Sequence, residues 1–195
     1  MSLKALQRAR FLKRLVFNIW LWDARQKFQR IAGYLQKSDK ILDVGCGPGS
    51  TCLLLKNHGY DVAPLDIRNL SLAPEIRPLI YGGKTMPFVN DAFDVALILT
   101  VLHHTPDPRA VLLEAKRVAQ RIIVIEDIYT NRVQQYLTYL MDSLVNLEFF
   151  GHPHSNKSDP EWKKLFSELE LKLKEAKSQR YLLLFRQATY YLEHV

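Results

Sequence analysis

The chain has 195 residues, 48% of them apolar, with 27 Lys or Arg against 20 Asp or Glu. That length and balance suit one globular domain with a core of ordinary size. No apolar run approaches the roughly 20 residues of a membrane span, the start carries no apolar core with a small-residue cleavage site as in a secretory signal, and Cys46 and Cys52 lack metal-ligand spacing, so both read as reduced thiols of a cytoplasmic protein with no metal.

The basic charge sits at the front. Residues 1–40 hold ten Lys or Arg against two Asp or Glu, whereas the remaining 155 hold 17 against 18. Helical spacing predicts helices over 3–20 and 22–36, with Lys4, Arg8, Arg10, Lys13 and Arg14 set among Leu6, Phe11, Leu12, Leu15, Val16, Phe17, Ile19, Trp20 and Trp22. Residues 1–37 thus form a basic amphipathic segment ahead of a core at 38–195, within one domain spanning 1–195. Such a segment either packs over the cleft of the domain with its charges solvated, or lies through residues 3–22 on an anionic membrane or on nucleic acid.

The core reads as alternating β and α units. Strands are predicted at 40–44, 60–65, near 79–81, at 93–99 and at 121–126; Phe93 to Leu99 is nearly all apolar, as in a strand buried on both faces of a parallel sheet. Helices are predicted from Pro48 to about Asn57, from Asp107-Pro108 to about Val118, over the apolar stripe Val133, Tyr136, Leu137, Leu140, Met141, Leu144 and Leu147, and over 160–169. Residues 151–159 form a polar loop containing His152 and His154, and strands near 171–177 and 181–192 close the chain. The alternation predicts an α/β doubly wound sheet.

The turn Ile41-Leu42-Asp43-Val44-Gly45-Cys46-Gly47-Pro48-Gly49-Ser50 is the most informative stretch. Three glycines after a strand let the backbone bend sharply and approach a ligand with no side chain in the way. A dinucleotide-binding turn wants its third glycine five positions after the first, where this chain has Ser50 and puts the glycine at Gly49. A phosphate-cradling loop would end in Gly-Lys-Ser/Thr, which is absent here. A nucleoside-binding loop that holds no pyrophosphate remains.

This turn resembles the first motif of class I S-adenosylmethionine (SAM)-dependent methyltransferases. Tyr60 to Asp66 resembles that family's second strand with its terminal acid. Met86-Pro87-Phe88, Phe93 to His104 and Asp107-Pro108 resemble its fourth-strand region, in the manner of the small-molecule and quinone-type subfamily. The resemblance implies a Rossmann-like, mostly parallel seven-stranded sheet with a C-terminal antiparallel hairpin, here with extra N-terminal helices. It implies SAM as cofactor, S-adenosylhomocysteine (SAH) as product, and a cofactor site comprising Asp43, Gly45, Cys46, Gly47, Asp66, Ile67, Thr85, Met86 and Thr100.

In that site Asp43 lies near the amino-acid ammonium or structurally braces the loop, Asp66 accepts from the ribose hydroxyls, Ile67 meets the adenine face and Thr100 floors the pocket. The acid that family members often carry before the Leu-Pro-Phe-like triplet is missing. Gly82-Gly83-Lys84-Thr85 stands there, leaving the adenine edge to backbone groups and the Thr85 hydroxyl. His103 or His104 is either a general base or a packing residue. The sequence lacks an Asn-Pro-Pro-Tyr-like run and a Pro-Cys nucleophile, which speaks against nucleic acid or protein as acceptor. Tyr136, Tyr139, Leu140, Phe149 and Phe150, with Phe11, Phe17 and Trp20, suit a small hydrophobic acceptor or plain core. The rival readings are an RNA methyltransferase using the basic N-terminus and a SAM- or nucleoside-binding partner protein without transfer activity.

Overall fold

A computed structural model of the chain describes residues 10–129, 156–181 and 185–194. The helix expected over 133–147, the loop with His152 and His154, and Tyr136, Tyr139, Leu140, Phe149 and Phe150 lie outside the described residues, as do residues 3–9 of the first expected helix and the side chain of Phe11.

Helix α1 (Arg10–Ile31) and a 3-10 turn (Ala32–Tyr34) precede β1 (Lys40–Val44), α2 (Ser50–Asn57), β2 (Asp61–Asp66), β3 (Leu79–Ile80) and β4 (Phe93–Leu99). After a 3-10 turn (Leu102–His104) come α3 (Pro108–Val118), β5 (Ala119–Ile128), α4 (Asp159–Glu168), β6 (Leu171–Tyr181) and β7 (Phe185–His194). The seven strands form one sheet in the order β3-β2-β1-β4-β5-β7-β6. β3, β2, β1, β4 and β5 are parallel, and β7 runs antiparallel to both β5 and β6. The doubly wound sheet with a closing hairpin is therefore present as expected.

The two-residue period of the strands divides the core between the faces of the sheet. Leu42, Val44, Ala96, Ile98, Ile122 and Val124 join a cluster with Leu112 of α3 and Trp162 and Phe166 of α4. Their neighbours Ile41, Val95, Leu97, Ile123 and Ile125 join a second cluster with Ile31 of α1 and Leu55 of α2, against which Phe17 and Phe28 pack. The edge strand β6 is mostly exposed, and Lys172, Lys174, Lys177 and Arg180 on it discourage pairing with another chain.

Three expectations need correction. Tyr181, placed at the start of the last strand, instead closes β6, and β7 begins at Phe185. The boundary placed between helices at 20 and 22 does not exist: α1 is continuous to Ile31. Nothing between Trp20 and Trp22 breaks a helix, and the Asp23–Lys27 pair, four residues apart at 2.7 Å, supports the turn that follows. β5 is also longer than 121–126, because β7 pairs with it from Arg121↔Glu193 to Ile128↔Arg186 and so extends it beyond its apolar run. Among the described residues no helix is long and apolar enough to cross a membrane.

Candidate functional site

The strand order reverses between β1 and β4, and a doubly wound sheet opens a cleft there beyond the carboxyl ends of its strands. Trp20, Val44, Gly45, Gly47, Pro48, Asp66, Ile67, Arg68, Leu70, Tyr81, Val101, His104, Thr105 and Val111 line it. Contributions come from β1, β2, the turn after β4, α3 and, overhead, α1.

The glycine turn is stitched to β2. The amides of Gly45 and Cys46 both donate to the Leu65 carbonyl, at 2.8 and 3.1 Å. The Gly47 amide donates to Asp66 Oδ2 at 2.8 Å. Gly45 has φ +71°, and a Cβ there would lie 2.7 Å from Val101 Cγ1, so both backbone conformation and space require glycine. Gly49, at φ +79° and the N-cap of α2, would place a Cβ 2.9 Å from Ser71 Oγ. The Arg68 amide donates to Asp66 Oδ1 at 3.0 Å. Asp66 is thus 6% exposed, fixed by two backbone donors, and each carboxylate oxygen keeps a lone pair for a ligand.

Asp43 sits behind this wall. It is 2% exposed, and Cys52 Sγ donates to its Oδ2 at 3.0 Å, tying β1 to α2. Burial pushes its carboxyl up to about 6; the Cys52 hydrogen bond and the charge of Lys27 oppose that rise, and the charge of Asp66 adds to it.

Lys27 reaches from α1 to the strand tips. It is 6% exposed and donates to Thr100 Oγ1 at 2.8 Å while paired with Asp23. Thr100 follows β4 in the left-handed region, at φ +58°, with its amide on the Ile125 carbonyl at 2.7 Å. The turn that follows is held by Glu126, which is fully buried. Its Oε1 accepts from the amides of Val101 and Leu102 at 2.9 and 2.7 Å, and its Oε2 lies 2.5 Å from His103 Nδ1. His103 is 2% exposed and packs, whereas His104, whose ring centroid is 4.0 Å away, lines the cleft.

Of the nine positions expected from sequence, Gly45, Gly47, Asp66 and Ile67 come together on the cleft wall. Cys46 and Asp43 are buried behind it, and Thr100 is held from above by Lys27. Thr85 is exposed and outside the lining. Met86 is buried in the core, its amide bound to Glu114 Oε2 and its carbonyl to Arg117.

The cleft is apolar on most of its wall, with one fixed carboxylate, Asp66, beside an aromatic residue, Tyr81, whose amide donates to the Asp66 carbonyl at 3.1 Å, while the Lys27 ammonium sits at the strand tips outside that lining. That set fits a nucleoside carrying a charged amino-acid arm. A family model described as a methyltransferase domain matches residues 12–176. The chain belongs to this methyltransferase family. Among curated relatives, the ubiquinone biosynthesis O-methyltransferase of Pectobacterium atrosepticum is 30% identical over 95 residues, 43% of this chain and 39% of that protein. The chain therefore spans about two-fifths of the length of that relative.

Among solved structures, a SAM-dependent methyltransferase from Methanosarcina mazei matches with TM-score 0.68 at 19% identity, over 85% of this chain and 97% of that one. The magnesium protoporphyrin IX methyltransferase of Synechocystis, solved with bound SAH, matches with TM-score 0.65 at 15% identity, over 89% and 83%. The fold is that of the SAM-dependent methyltransferases.

Sequence reasoning missed Lys27, Tyr81 and Val101. For Lys27 a signal existed. It falls on the inward stripe Trp20, Ala24, Lys27, Ile31 of the helix that continues into this methyltransferase domain, where a charge needs a partner. Tyr81 and Val101 carry no local pattern that separates a cleft wall from ordinary core.

Proposed function

We propose that this chain transfers a methyl group from SAM to a small hydrophobic acceptor. The observation that carries the reading is the fixed Asp66 carboxylate at the end of β2, locked through Gly47 to the glycine turn that follows β1, beside which the strand order reverses. When bound, SAM supplies a methyl already activated on a sulfonium sulfur, so the protein has to position and desolvate rather than generate a reactive group.

The chain's own residues divide that work. Asp66 accepts from the ribose hydroxyls, and Gly45 and Gly47 let the backbone come close. Ile67 and Tyr81 flank the adenine, with Thr85 at its outer edge and Met86 anchoring that segment in the core. Lys27 exchanges part of its contact with Asp23 for the cofactor's carboxylate, and Thr100, Asp43 and Cys46 hold the floor beneath. Trp20, Leu70, Val101 and Val111 exclude water from the acceptor side. The apolar lining supports a hydrophobic acceptor, as do relatives named for ubiquinone biosynthesis and protoporphyrin methylation.

Calorimetric titration with SAM and with SAH tests the cofactor. The wild type should bind both, and Asp66→Asn should bind about 10-fold or more weakly, because the amide keeps an oxygen for Gly47 but loses the charge-assisted bonds to ribose. No binding of either ligand by the wild type overturns the reading. Transfer of label from SAM to a panel of hydrophobic phenols and amines tests the reaction, and binding with no transfer to any of them would make the chain a SAM-binding partner protein instead.

A further inference from the structure

Helix α1 is apolar on both sides. Its inner face packs Phe17, Phe28 and Ile31 into the core and sets Trp20 in the cleft wall. Its outer face presents Leu15, Ile19 and Trp22, which are 52%, 61% and 44% exposed. Their spacing of four and three residues puts all three on one stripe. Large apolar side chains exposed together on one stripe are poor neighbours for water and mark an interaction surface.

The charges on that face have one sign. Arg14 and Arg25 are exposed at the two ends of the stripe. The acid of the helix, Asp23, turns inward, where it pairs with Lys27 and accepts from the Tyr181 hydroxyl at 2.8 Å. Upstream the sequence adds Lys4, Arg8, Arg10 and Lys13, and residues 1–40 carry a net +8 against −1 for the rest. Aliphatic side chains at the centre, a tryptophan at one side and cations at the ends complement an anionic bilayer surface.

We propose that the outer face of α1 docks on anionic lipid, with Leu15 and Ile19 entering the headgroup boundary, Trp22 at the interface and Arg14 and Arg25 on lipid phosphates. Nucleic acid fits less well, because Leu15 and Ile19 occupy the middle of the stripe, where bases need stacking partners and phosphates need cations. A second copy fits less well too. A two-fold axis through the stripe would bring arginines of both copies together on a face that holds no acid. Docking is independent of the methyltransferase reading. Its consequence rests on that reading: α1, whose inner face walls the cleft with Trp20, would hold the domain within about a helix's width of the bilayer, the phase in which a hydrophobic acceptor dissolves.

The test is flotation of the purified full chain, without cofactor, on vesicles of phosphatidylcholine alone and of phosphatidylcholine with about 30% phosphatidylglycerol. Binding to the anionic vesicles should be about 10-fold or more tighter than to the neutral ones and should weaken with salt. Leu15→Glu with Ile19→Glu, and separately Arg14→Glu with Arg25→Glu, should each lower it by about 10-fold or more. These side chains are exposed, so the far-UV circular dichroism and melting temperature of both variants should match the wild type, which separates lost docking from lost folding. A blue shift of tryptophan emission on vesicles should disappear in Trp22→Phe. No binding to anionic vesicles overturns the proposal, as does binding unchanged in both double variants. Co-purifying nucleic acid lost in the arginine variant, or a dimer lost in the Leu15→Glu, Ile19→Glu variant, would assign the face to those partners and overturn it equally.

Discussion

Asp43→Asn should change how stability depends on pH. The Asp43 carboxyl is buried behind the glycine turn, and burial lifts it from 3.8 to about 6. Between those values the native state keeps a proton that the unfolded chain has released. The native state therefore binds more protons, and stability falls as pH rises through the window. At about 1.4 kcal/mol per pH unit, the loss between pH 3.8 and 6 amounts to about 3 kcal/mol, an order-of-magnitude figure for a fully buried group. Asparagine cannot ionise, yet its side-chain oxygen still accepts from Cys52 Sγ, the bond that joins β1 to α2.

Whatever the substituted amide costs in packing is independent of pH. The stability of wild type minus variant should therefore be flat below about pH 4, fall by about 3 kcal/mol by pH 6 and stay flat above it. Urea unfolding followed by circular dichroism at steps from about pH 3.5 to 8 measures this. A constant difference refutes the reasoning. A difference that rises with pH would mean that the Lys27 charge and the Cys52 hydrogen bond outweigh desolvation.

Three further outcomes follow from the same geometry. Gly45→Ala should cost about 2–5 kcal/mol, about 1–2 for a left-handed backbone and the rest for the contact with Val101; adding Val101→Ala should recover the steric part in a double-mutant cycle of urea melts, and zero coupling would refute it. Glu126→Ala should cost at least about 2 kcal/mol and speed amide exchange at Val101 and Leu102, because a half-buried and a fully buried donor lose their acceptor; Glu126→Gln, which retains an acceptor, should cost less, and equal costs would count against the role. Lys27→Met should weaken SAM and SAH by about 10-fold or more while leaving 5′-methylthioadenosine, which lacks the carboxylate, within about 2-fold; an equal loss on all three would remove Lys27 from the carboxylate.

What the sequence made legible was the part governed by local chemistry. Apolar runs and glycine or proline punctuation placed β1, α2, β4 and α3 within a residue or two, and the turn from Asp43 to Gly49 located the cleft. Less readable were features decided by distant partners. β5 is longer than its apolar run because β7 supplies hydrogen bonds out to Ile128. Asp43 has the strand-end position of a ligand contact, but Cys52, nine residues on, turns it into a buried brace. Lys27 stands on the inward stripe of α1, which says that it needs a partner but not which one. Only the packing of α1 across the strand tips brings it to Thr100, 73 residues away.

The roof of the cleft has a consequence for how the chain is made. α1 is bonded to the last hairpin: Tyr181 to Asp23, and Arg30 Nη1 to Gln187 Oε1 at 2.6 Å across 157 residues. At translation rates of about 5–20 residues per second, the helix waits about 8–30 s for those partners to be synthesised. During that wait Phe17, Phe28 and Ile31 have no finished sheet to cover them. The glycine turn and Asp66, by contrast, depend on β1 and β2, which appear within a few dozen residues of each other. The cleft is therefore assembled floor first, and its roof latches only when β7 has taken its place beside β5.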